Sequence, residues 1–67
     1  MRPPALENPP PIDPRDHAIE SRSWDDRQVR FHLVRHDGHY YAWIAWPGQH
    51  LVYPMPSAAA ARSFLDS

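Results

Sequence analysis

Between Val29 and Met55 apolar and polar residues alternate in three runs, separated by Asp37-Gly38 and Pro47-Gly48. A period of two sends successive side chains to opposite faces, so each run reads as a half-buried strand. Asp37-Gly38 sets the first reversal, because a two-residue type I′ turn needs positive φ at both central positions, which Asp tolerates and Gly adopts freely. With those residues in the turn, His36 faces His39, and pairing continues through Arg35 with Tyr40, Val34 with Tyr41, Leu33 with Ala42, His32 with Trp43 and Phe31 with Ile44. One face then carries Val29, Phe31, Leu33, Tyr40, Ala42, Ile44 and Trp46. The other carries Arg30, His32, Val34, His36, His39, Tyr41, Trp43 and Ala45. Only the first is a continuous core face, and a slip of one residue would put the His and Arg side chains inside.

Pro47-Gly48 suits a type II turn, which is not the favoured two-residue hairpin connection, so a four-residue loop through His50 is expected. Either loop length leaves Leu51, Tyr53 and Met55 on the first face. Pro54 has no amide donor, which predicts an edge position for its strand and discourages another chain from adding there. After Met55, Ser57 reads as a helix N-cap before the helix-favouring Ala58 to Ala61, with Ala58, Ala61 and Leu65 on one face and Phe64 beside them. So short a helix needs packing to persist.

Upstream, Met1 to Pro14 contains six prolines. Restricted backbone and missing donors read as a loose tail, or as a semi-rigid arm with Leu6 and Ile12 as anchors. Asp13 and Pro14 have the chemistry of an N-cap and first helical residue. A strand from His17 to Trp24, followed by a reversal through Asp25-Asp26-Arg27, competes equally. The strand is adopted, because Val29 soon restarts an extended pattern and an early neighbour would cover its edge. The expected fold is α+β: an antiparallel meander of three strands, or four with the early one, and a C-terminal helix on one face. The expected division is a proline-rich arm over 1–16 and one sheet-plus-helix domain over 17–67.

Sixty-seven residues allow one small core. A domain of about 60 residues buries only roughly 60% of its unfolded surface, so help from a partner or a second copy is favoured. There is no cysteine, which excludes disulfides and cysteine-ligated zinc. Seven basic residues, all arginine, against eight acidic ones give a formal charge of −1. That balance argues against a long non-specific nucleic-acid track. No run approaches the roughly 20 apolar residues of a membrane span. The proline-rich start does not resemble a signal peptide, so the cytoplasm is the expected location, with no membrane partner.

The second sheet face carries the candidate chemistry. Arg30, His32, Tyr41 and Trp43, with His36 and His39 at the hairpin tip, form a candidate partner-binding surface, since Tyr, Trp and Arg are enriched where proteins meet. Two other readings compete. Trp43 and Tyr41 can pack beneath the proline arm as a second small core. Alternatively, bases can stack on them while Arg30 and Arg35 approach the backbone, although Arg35 belongs to the opposite face. His36, His39 and Asp37 fall short of the roughly four ligands zinc requires, so a surface histidine pair is preferred to a metal site. Ser21, Ser23, Ser57 and Ser63 lack a nucleophile elbow, and Asp25-Asp26 has no companion cluster. No enzymatic activity and no cofactor are therefore expected.

The segment Phe31 to Ala61, FHLVRHDGHYYAWIAWPGQHLVYPMPSAAAA, resembles the N-terminal part of HicB-like antitoxins. The matching positions are Asp37, Gly38, Tyr40 or Tyr41, Ala42, Ile44, Pro47, Gly48 and Ser57, across about half the chain. The resemblance implies a small inhibitor that binds a toxin ribonuclease and blocks its access to RNA, with Arg30, Tyr41 and Trp43 as contacts. Ala58 to Ala60 depart from the family's acidic helix start, and no further strand or DNA-binding domain is expected among residues up to Ser67, so transcriptional autoregulation is not implied. A phage or plasmid inhibitor with a similar sheet, a nucleic-acid-binding protein and an oligomerising structural protein are the alternatives.

Overall fold

A computed structural model describes residues 4–24 and 28–66, with the side chain of Trp24 excepted. The elements in chain order are α1 (Pro14–His17), β1 (Ala18–Trp24), β2 (Val29–His36), β3 (His39–Trp46), β4 (Gln49–Met55) and α2 (Ala58–Asp66). The four strands form one antiparallel sheet in the order β1-β2-β3-β4. The meander and its C-terminal helix are therefore as expected, and the early strand is present. Both readings of the segment before it hold in part: Asp13 caps a single turn from Pro14, and the chain then becomes extended at Ala18. That turn spans the 16/17 position at which arm and domain were divided. The reversal expected at 25–27 lies outside the described residues.

Asp37 and Gly38 have φ of 53° and 77°, as a type I′ turn requires. The β2–β3 register follows from this turn, from His36 opposite His39 to Phe31 opposite Ile44. The second reversal is a correction. Trp46 pairs with Gln49, so Pro47 and Gly48 alone form the loop, and His50 is already in β4. The proline ring forbids positive φ at the first loop position, which excludes types I′ and II′. Gly48 at φ 80° then completes a type II turn.

Helix α2 covers the first face. The Ser57 hydroxyl accepts from the Ala60 amide at 3.1 Å, which satisfies a donor that the helix start leaves free. Ala61 is fully buried, so the helix backbone lies close to the sheet, and the rings of Phe64 and Tyr53 pack 4.8 Å apart. Ion pairs tie the far end of the helix to β1. Arg62 meets the Glu20 carboxylate at 2.7 Å through Nη2 and at 3.1 Å through Nε, and Arg22 pairs with Asp66.

The second face is also covered, and the cover is the proline arm. Leu6 and Ile12 pack on a cluster of Val34, Trp43 and Val52, of which Trp43 is only 3% exposed. The Leu6 amide donates to the Val52 carbonyl at 2.7 Å, and Pro14 is buried. The sheet is thus enclosed on both sides, by a helix on one and an irregular arm on the other.

Candidate protein-binding edge

The exposed aromatic surface expected on the arm face is a correction. Trp43 is buried, and its indole N–H donates to His50 Nδ1 at 2.8 Å. Accepting that bond occupies Nδ1 and leaves Nε2 as the donor nitrogen of the His50 ring. His32 is 4% exposed and shares a 2.7 Å hydrogen bond between Nδ1 and the Ser21 hydroxyl. Burial, with Arg30 nearby, pushes the His32 pKa below the ordinary histidine value. Tyr41 is half-buried against the same cluster. His36 is half-buried with the His17 ring 5.0 Å away, edge to face, while Arg30 and His39 remain exposed. The six residues therefore do not form one accessible face. An alternating strand carries enough apolar area on both sides to need cover twice, and the arm supplies the second cover.

Between arm and sheet a cleft of about 780 Å³ opens, lined among others by Arg30, His32, Ala45 and His50 from the sheet and by Ile12 and Asp13 from the arm. Asp13 is occupied by its own neighbour. Its carboxylate accepts from the Arg15 amide at 2.9 Å and from the Arg15 guanidinium at 2.8 Å, and these bonds lower its pKa to about 2.

The sheet edges differ in a way that follows from the hairpin. In a two-residue hairpin the flanking pair exchanges both backbone bonds, so His36, Val34, His32 and Arg30 direct their N–H and C=O groups to β3. Leu33, Phe31 and Val29 then serve β1, where they meet Glu20, Arg22 and Trp24. The same parity carried through β3 assigns Leu51 and Tyr53 to the inner side of β4 and turns His50, Val52 and Pro54 outward. Two observations agree with it. The Val52 carbonyl reaches the Leu6 amide of the arm, and Pro54, with no N–H, falls where no ladder bond is lost. The β4 edge is thereby obstructed at Val52 and Pro54.

At β1 the outward backbone groups belong to Ser21 and Ser23. Among the described residues no backbone donor or acceptor meets them. The register shift between Ala18 and Glu20 ends the regular stretch, and Ile19 beside it is 50% exposed, a large apolar side chain left in solvent. Glu20 and Arg22 point to the helix face, where they hold Arg62 and Asp66. The sequence places a strand here, but its aromatic residues direct attention to the arm face and not to the β1 edge. The polar run Glu20-Ser21-Arg22-Ser23 carries no aromatic or apolar residue that would mark it as a binding edge.

No group of three or more His, Asp or Glu among the described residues is arranged to hold a metal ion. No helix among them is long and apolar enough to cross a membrane. Comparison with family models, with curated proteins and with solved structures finds no match to this chain.

Proposed function

We propose that the chain is a non-catalytic protein-interaction module that receives an extended segment of a protein partner along the outer edge of β1. The observation that supports it is the asymmetry of the edges: arm and proline obstruct β4 at Val52 and Pro54, whereas among the described residues no backbone group meets those of Ser21 and Ser23 on β1. Open edges template strand addition, and main-chain bonds supply the affinity in that mode of recognition. The resemblance to HicB-like antitoxins favours a protein over a nucleic acid as the partner of this chain. A nucleic-acid role has less support, since Trp43 lies beneath the arm and Arg35 sits over the Tyr40 ring, 6.0 Å away, on the helix side.

Ser23→Pro is the discriminating variant. It removes an outward amide without touching the ladder to β2 or the bond from Ser21 to His32. Immobilised protein is incubated with native extract, with and without nuclease, and the retained proteins are identified by mass spectrometry. A partner that survives nuclease and is lost from folded Ser23→Pro is the expected result. Equal capture by the folded variant would exclude the β1 edge, and retention abolished by nuclease would favour nucleic acid.

A further inference from the structure

We propose that the strand received by β1 is β1 of a second copy of this chain, paired antiparallel about Ser21. The inference rests on the reading of β1 as a binding edge and names its occupant.

The outward parity of Ser21 and Ser23 permits only registers in which these residues make the backbone bonds. Placing Ser21 opposite Ser21 of the second copy lets the two exchange both bonds across a twofold axis. Ser23 then falls beside Ile19 of the other copy, which stands at the register shift and is half exposed in the single chain. Glu20 faces Arg22 of the other copy, and Arg22 faces its Glu20. These are non-hydrogen-bonded pairs, the closer of the two kinds, where opposite charges stabilise and like charges repel.

Both ion pairs lie on the helix face, beside pairs already present. Each Glu20 is held by Arg62 and each Arg22 by Asp66 of its own chain. Across the seam the charges therefore alternate, Asp66 to Arg22 to Glu20 to Arg62, twice by symmetry. The register centred on Arg22 would set two guanidinium groups opposite each other and bring no cation of the other copy opposite Glu20. Self-complementarity thus selects the Ser21 register. It also predicts a closed dimer, because the β4 edges at the two ends of the resulting eight-stranded sheet are blocked by Leu6 and Pro54.

The test is light scattering coupled to size exclusion, which reads mass directly. The wild-type chain is expected at twice 7.8 kDa, and Ser23→Pro at 7.8 kDa. Glu20→Arg and Arg22→Glu each place like charges opposite one another at both symmetric positions, raising the dissociation constant roughly tenfold or more. Their equimolar mixture restores opposite charges at both positions and regains the dimer mass. Circular dichroism checks that each variant is folded, and Ser23→Pro serves should a charge reversal loosen α2. A wild-type monomer up to millimolar concentration would overturn the self-pairing, as would a folded Glu20→Arg dimer or a mixture of folded variants that stays monomeric. If the wild type is monomeric while Ser23→Pro still loses a partner from extract, the edge stands and only its occupant is wrong.

Discussion

Truncating Trp43 to alanine removes the largest side chain of the arm-side core, in which it packs with Val34 and Val52 beneath Leu6 and Ile12. Its 3% exposure means that almost none of the lost contact is replaced by solvent already present. Removing a buried tryptophan costs about 3–5 kcal/mol, transfer and cavity terms together. At roughly 0.05–0.15 kcal/mol per residue, 67 residues have a total stability of about 3–10 kcal/mol. The substitution therefore consumes about three-tenths of the stability at least, and all of it at the lower end. With a urea slope of about 1 kcal/mol/M for so small a domain, the midpoint falls by about 3 M or more, or the variant is unfolded in water. Circular dichroism is the suitable probe, since fluorescence would lose one of its reporters. Trp43→Phe separates the terms: the ring packing is largely kept and the bond to His50 is lost, for about 0.5–1.5 kcal/mol. A folded Trp43→Ala whose midpoint moves by less than about 1 M would refute the enclosed second core and return Trp43 to the surface.

Gly38→Ala tests the hairpin. No atom lies within 4 Å of the added Cβ, so the effect comes from holding a side chain at φ 77° and amounts to about 1–2 kcal/mol. Asparagine there should lose less, and a urea midpoint equal to that of the wild type for alanine would argue against the I′ turn. Acid stability tests His32, which faces Arg30, Asp13, Arg15 and His50. Its native pKa lies below the unfolded value of 6.5, so the unfolded chain binds the proton first. This contribution is complete above pH 6.5 and is lost as pH falls through the lower native pKa. His32→Gln should flatten that part of a stability-against-pH curve, and an unchanged slope would rule the residue out as its source. Asp13 adds a separate loss as pH falls from 3.8 towards about 2.

The alternation from Val29 to Met55 and the Asp37-Gly38 turn determined the meander, the β2–β3 register and the helix-covered face by themselves, whereas the β3–β4 register followed from a loop two residues shorter than expected. Local chemistry was sufficient there, since the turn sets the pairing and the pairing sets both faces. The caps at Asp13 and Ser57 were legible for the same reason, each depending on one side chain and an amide two or three residues away. Tertiary structure alone decided that the arm lies over Trp43, because neither Leu6 nor Ile12 belongs to a periodic pattern and their docking joins distant parts of the chain. It also decided which sheet edge is open. That depends on where Leu6 meets Val52 and on the four-strand order, and backbone groups on an edge strand leave no mark in the side-chain sequence.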